Sequence, residues 1–269
     1  MNLNHDIIEL NGEPAQRQDL RMLAQTNYGH FTALQARDGR VQGLDLHLDR
    51  LQEGTRELYS SDLDRERVRG YLRHALAGAG AIVSVRISVF SRAFNRERPA
   101  DRATPDVLIA VGPVRESAST PLRLKSFRYQ RDLPQIKHVG TFALFHHRRL
   151  AQQAGFDDAV FVDAQGCVSE ASVWNIGFHD GDSFVWPVAS QLAGTGMRLV
   201  QAGMQRLDVV QATRRVPLTD LKRMRAAFVC NANTIARSVT RIDDVEFDSA
   251  SGLTETIRRC HDTNPWESP

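Results

Sequence analysis

Hydrophobic and polar positions alternate along the chain with two different periods, and the changes of period mark out the elements. "DIIELNGEPA" reads as a short strand, a turn at Asn11-Gly12 and the start of a second strand. His30 to Ala36 alternates at period two and is followed by the turn Asp38-Gly39, a strong hairpin signal. A further short strand then leads into a helix beginning near Leu46. Val68, Leu72 and Leu76 fall at helical spacing and predict one buried face. "AIVSVRISVF" and "PDVLIAVGPV" are rich in β-branched residues and predict neighbouring strands of one sheet.

"RESASTP", residues 115–121, is small, polar and closed by proline, and it predicts a linker. Beyond it "LRLKSFRY" predicts a strand, and "FALFHHRRLAQQAGF" an amphipathic helix closed by Gly155. "DAVFVDAQGCVSEASVWNIGFHDGDSFVWP" predicts a meander of strands with turns at 164–166 and at Asp180-Gly181. "LAGTGM" is a glycine-rich loop ahead of a helix starting near Met197, and "RAAFVCNANTIARSVTRIDDVEF" reads as strand, loop and strand. The expected fold class is α+β: a small amino-terminal α/β domain over residues 1–114, a linker at 115–121, and a larger sheet-rich domain over 122–269.

Composition narrows the class of function. Thirty-four basic residues against 32 acidic give a net charge of +2, without the basic excess of a nucleic-acid or membrane-surface protein. The cluster "HHRR", His146 to Arg149, is read as a solvated helix face. Cys167, Cys230 and Cys260 are sparse and form no C-x-x-C pair, as expected of free thiols in a reducing compartment rather than of disulfides or a metal site. The start "MNLNHDIIELNGEPAQ" lacks the basic and apolar regions of a signal peptide, and no apolar run approaches the ~20 residues of a membrane span. A cytoplasmic protein without a metal is expected.

Four stretches carry candidate chemistry. In "LPQIKHVGTF", Lys137 sits in a segment that reads as half buried, where a lysine amine has a lowered pKa and becomes a nucleophile toward aldehydes. Taken alone, a surface lysine with a packed stem explains it as simply. In "CVSEASVWNIGF", Glu170 lies on an otherwise apolar strand, where a carboxylate needs a cationic or donor partner. In "LAGTGMRL", Gly194 and Gly196 let backbone amides approach an anion at a helix start, and Thr195 adds a hydroxyl. In "LHLDRL", Arg50 follows His47 on one helical face and offers a guanidinium suited to phosphate. "GAGAIV" at Gly78 lacks the preceding strand of a dinucleotide site and is set aside.

In order and spacing these stretches resemble the fold type IV pyridoxal-phosphate enzymes, the group of branched-chain and D-amino acid aminotransferases and aminodeoxychorismate lyase. The resemblance runs from about Tyr28 to Asp243. It implies pyridoxal 5'-phosphate held in a cleft between the small domain and a pseudo-barrel domain, in a homodimer whose partner loop closes the active site. Lys137 matches the lysine that binds the cofactor as a Schiff base and moves the proton during catalysis. Glu170 matches the carboxylate on the pyridine nitrogen, and Arg50 the arginine on the phosphate. Thr195, Gly196 and Ala232 fall on the other phosphate-holding loops, and Asn175 matches a structural asparagine.

The resemblance implies amino transfer between a small amino acid and a 2-oxo acid. Arg86 in "VSVRISVF" stands on a small-domain strand, where it could bind a substrate carboxylate or simply face solvent. Phe142 replaces the tyrosine common five residues after the lysine in aminotransferases, and Asn231-Ala232 replaces a Gly-Thr pair. Both departures, with "IKH", are lyase-like and keep 4-amino-4-deoxychorismate lyase as the alternative activity, releasing pyruvate and 4-aminobenzoate.

Overall fold

The computed structural model describes residues 7–114, 120–248 and 252–269. The first residues of the amino-terminal stretch (1–6) and most of the expected linker (115–119) lie outside the described residues. The chain divides into two compact units. The first comprises Met1–Glu116, Ile136–Gly140 and Pro265–Pro269, and the second Ser117–Gln135 and Thr141–Asn264.

In the first unit the elements are β1 (Ile7–Leu10), β2 (Glu13–Pro14), α1 (Arg21–Gln25), β3 (His30–Arg37), β4 (Arg40–Gln42), α2 (Leu44–Tyr59), α3 (Arg65–Ala77), β5 (Ile82–Phe90) and β6 (Asp106–Pro113). The carboxyl-terminal strand Trp266–Glu267 returns to pair with β4, completing a seven-stranded antiparallel sheet. Asn11-Gly12 and Asp38-Gly39 both adopt positive φ, as their tight turns require. Alternation sends Leu34, Ala36, Val85, Ile87 and Val89 to one face, where α2 contributes Leu44, Leu48 and Leu51 and α3 Val68 and Leu72. The register puts Phe31, Ala33, Arg86 and Ser88 together on the opposite face. Helix α2 begins two residues earlier than Leu46, because Gly43 (φ 64°) turns the chain into it. Asp64 caps α3 by accepting the Arg67 amide.

The second unit contains β7 (Leu122–Arg128), α4 (Phe142–Gln153), β8 (Asp158–Val162), β9 (Val168–Ala171), β10 (Asn175–His179), β11 (Phe184–Pro187), α5 (Thr195–Arg206), β12 (Gln211–Arg214), a 3-10 turn (Leu218–Arg223), β13 (Ala226–Cys230), β14 (Arg237–Ile242), β15 (Val245–Glu246) and α6 (Leu253–Asp262). Its sheet runs β12-β11-β10-β13-β14-β7-β8-β9, and β9 pairs back onto β10 through Glu170 and Asn175. The six strands from β10 round to β9 therefore close into a barrel, and a closed barrel has no open edge. The barrel interior is apolar, with Leu124, Val160, Ile176, Val229 and Val239. The fold is thus α+β with a sheet-rich barrel unit, and among the described residues no helix is long and apolar enough to cross a membrane.

Helix α6 was not expected from the sequence, and it packs on α5. The approach is so close that a Cβ on Gly203 of α5 would overlap the Cys260 carbonyl of α6. Gly203→Ala gains about 1 kcal/mol of helix propensity but forces backbone against backbone. A net loss of about 2 kcal/mol in urea-unfolding free energy is expected; unchanged stability would show that the helix pair can part at no cost.

Candidate active site

In the first unit, Lys137 lies on a segment that runs beside the start of β3. The Lys137 carbonyl accepts the Phe31 amide at 2.9 Å, the Val139 amide donates to Gly29 at 2.9 Å, and His30 and His138 form a β-bridge. Ile136 is driven into the core on one side of this segment. Lys137 then falls on the other side, with its ammonium 5.0 Å from the Phe31 ring centroid. Arg86 reaches the same ring, its Cζ 3.5 Å from the centroid and its Nε donating to the Ser88 hydroxyl at 3.1 Å. Partial desolvation of the guanidinium against the Phe31 ring lowers the Arg86 pKa, although the residue as a whole remains exposed. Among the described residues no carboxylate pairs with Arg86.

Two histidines lie beneath. His47, 2% exposed on α2, meets the Thr32 hydroxyl through Nδ1 at 2.6 Å. Burial first, then the charges of Arg50 and Lys137, pull its pKa to about 3, so it is a neutral group between two cations. His30, 1% exposed, meets the Thr55 hydroxyl through Nε2 at 3.1 Å. Because Thr55 donates to the Leu51 carbonyl, His30 Nε2 must be the donor in that contact. Its bare Nδ1 packs on Gly54, where a Cβ would come within 2.7 Å, and burial lowers its pKa to about 3. A glycine within α2 is therefore explained by the ring packed against it.

In the second unit, Glu170 is no edge-strand residue in water: it is 6% exposed at the pair that closes the barrel. Arg131, equally buried, stands 3.9 Å from its carboxylate, and the Leu192 amide donates to Oε2 at 3.4 Å. Asn175 donates to the Leu192 carbonyl at 2.7 Å, and a Cβ on Gly194 would overlap Asn175 Oδ1. Glu170 and Asn175 thus grip one loop, and that loop delivers the start of α5. The helix begins at Thr195, two residues ahead of the expected Met197, and its first intrahelical amide bond is Arg198 to Gly194. The amides of Thr195, Gly196 and Met197 consequently have no acceptor within the helix.

Thr195 is 2% exposed, and its hydroxyl has no hydrogen-bond partner among the described residues. A Cβ on Gly196 would lie 2.7 Å from the Asn231 carbonyl and 3.2 Å from the Ala232 amide. The close approach sets Ala232 beside the helix start. Asn231 itself is spent on its loop, accepting from the Asn233 and Thr234 amides and donating to the Val173 carbonyl. An orphaned buried hydroxyl, free helix-start amides and a neighbouring loop amide fit a phosphate. A buried carboxylate that accepts from the loop's Leu192 amide fits a protonated ring nitrogen.

Lys137, Arg50 and Arg86 thus belong to the first unit, and Glu170, Thr195, Gly196 and Ala232 to the second. Phe142 opens α4 with its ring 79% exposed and stacked on His146 at 5.6 Å. The "HHRR" cluster is solvated only in part. His147 packs among Tyr129, Phe127 and Phe161, and Arg148 lies 3.3 Å from the fully buried Asp158, because α4 turns these two positions toward β8. Arg131, His47 and Phe31 were missed as site residues. Their signals were an arginine six residues before the lysine, a histidine among core leucines, and an aromatic on the outer face of β3.

The Amino-transferase class IV sequence profile matches residues 29–242. A branched-chain aminotransferase from the archaeon Thermoproteus uzoniensis superposes with a TM-score of 0.81 at 16% identity, covering 94% of this chain and 92% of that one. A hypothetical aminotransferase from Mycobacterium tuberculosis in its PLP-bound form gives 0.79 at 18% identity, with 96% and 98% covered. A putative 4-amino-4-deoxychorismate lyase from Legionella pneumophila gives 0.79 at 17% identity, with 93% and 95% covered. These similarities establish the fold, and the profile match extends over most of the sequence. The chain therefore belongs to the class IV amino-transferase family, whose members are pyridoxal-phosphate-dependent aminotransferases and lyases.

Proposed function

We propose that this enzyme is an aminotransferase moving an amino group between a small amino acid and a 2-oxo acid, with Lys137 as the residue that holds pyridoxal phosphate covalently. The observation that carries the assignment is the loop gripped by Glu170 and Asn175 and ending in the unpartnered Thr195 hydroxyl. Strand β9 there offers an acid for the ring nitrogen, and the loop it grips offers an anion cradle. When bound, the cofactor supplies an electron sink for charge developing beside the amine. Glu170 keeps the ring nitrogen protonated. Arg50, Thr195, Gly196 and Ala232 hold the phosphate, and the Lys137 amine takes up and returns the proton at the substrate Cα. Arg86, which has no carboxylate partner among the described residues, binds a substrate carboxylate. Exposed Phe142 (79%) and Phe145 (52%) on α4 favour a homodimer, and three buried free cysteines favour a reducing, cytoplasmic setting.

Incubation with a panel of amino donors should convert the bound cofactor to its amino form, followed by absorbance. No conversion with any donor would count against amino transfer. The lyase reading is favoured by Phe142, which has no hydroxyl to donate, and by Asn231 and His138. It requires 4-aminobenzoate to appear from 4-amino-4-deoxychorismate without any oxo acid, and no product in that assay removes it.

Thr195→Val separates binding from folding. Because the hydroxyl has no partner among the described residues, its loss should leave the cofactor-free protein at least as stable. A hydrogen bond to a charged phosphate is worth about 1.5 kcal/mol or more, so the cofactor dissociation constant should rise about tenfold in a fluorescence titration. An unchanged constant would place the phosphate elsewhere.

A further inference from the structure

The second unit carries an open cleft of about 740 Å³ that none of these roles uses. It lies where β7, β8 and β14 begin and α4 ends, and its volume is that of a small-molecule site. Arg123, Arg148 and Arg237 line it, with Phe156 and Pro121 as apolar wall.

Three guanidinium groups there meet two carboxylates, and both carboxylates are already engaged. Asp157 accepts Nε and Nη2 of Arg123, each at 3.1 Å, and the Arg123 amide at 2.8 Å. Asp158, fully buried, accepts the Ser172 hydroxyl at 2.5 Å, the Trp174 indole at 3.0 Å and the Ala159 amide at 2.7 Å. Arg148 adds only an ionic contact to Asp158, at 3.3 Å. Arg237 gives its Nε to the Thr120 carbonyl at 2.8 Å, and among the described residues its terminal amines meet no acceptor. Burial lowers the Arg237 pKa, Asp157 offsets part of that, and the charge of Arg148 lowers it further. Two neighbouring cations with unspent donors, one of them partly desolvated, are stabilised by an incoming oxyanion.

We propose that this cleft binds a small organic oxyanion, a carboxylate or phosphate monoester on a flat apolar group, gripped by Arg237 and Arg148 with the apolar part against Phe156. Arg148 is tied to a buried acid, so Arg237, held by a single backbone contact, is the position to vary.

The test is isothermal titration of the cofactor-loaded protein, its own phosphate site filled, with benzoate and with phenyl phosphate; benzyl alcohol is the neutral control. At least one anion should bind, and Arg237→Gln should weaken it about tenfold or more, the loss of a bidentate charged contact. Arg237→Lys should retain part of the affinity, and Arg86→Gln should leave it unchanged. Equal thermal melting of the Arg237 variants checks their folding. The proposal is overturned if neither anion binds more tightly than benzyl alcohol, or if binding is lost on Arg86→Gln rather than on Arg237→Gln. A protein that takes up no pyridoxal phosphate would bear on the enzymatic assignment and not on this cleft, which can be titrated all the same.

Discussion

Replacing Lys137 with alanine is expected to give a folded protein that no longer holds pyridoxal phosphate covalently. Mass spectrometry after borohydride reduction should find only the unmodified chain. Amino transfer should fall by at least ~10²–10⁴, the typical worth of a positioned proton-transfer group. Folding should survive because the segment is held by its backbone and by Ile136, neither of which the substitution touches. The chain also leaves little room for a substitute. It has only three lysines among its 34 basic residues. Lys125 is tied to Asp243 at 2.7 Å, and Lys222 is exposed on the 3-10 turn. Reductive attachment persisting in the variant would reassign the cofactor lysine.

Local signals carried most of the fold. The alternation in β5 and β6, the leucine spacing of α3 and the glycine turns at Gly12 and Gly39 each name their element without reference to anything distant. Helix α6 was illegible for the opposite reason: "LTETIRRCHD" buries Leu253, Ile257 and Cys260, but it is mostly polar, and its stability comes from packing on α5. The strand Trp266–Glu267 pairs with β4 more than 200 residues earlier, which no local pattern encodes. The site divides in the same way. The residue types at 137, 170 and 194–196 announce chemistry, whereas Arg131 acquires meaning only once the barrel closes at Glu170. Phe31 likewise matters because β3 and β5 register brings Arg86 onto its ring.

The buried histidines set how the protein responds to acid. His30 and His47 take up a proton in the unfolded chain near pH 6.5 but in the folded chain only near pH 3. Each therefore stabilises the fold fully above pH 6.5, and that stability drains away as pH falls from there toward 3. At pH 5 the linkage amounts to about 2 kcal/mol for each ring, about 4 kcal/mol for the pair. The figure depends on the unfolded value and hardly on the folded one, provided the latter lies well below 5. His74 works in the other direction, since its bond to the buried Glu9 raises its pKa, but its ring is mostly in water and the effect is small. Urea unfolding at pH 8 and pH 5 should show the loss. His47→Gln should remove about half of the difference between the two pH values, whatever it does to stability at either one. A flat profile would mean that water reaches both rings and that neither is held neutral, and a full slope in the variant would mean that His47 is not held neutral beside Arg50 and Lys137.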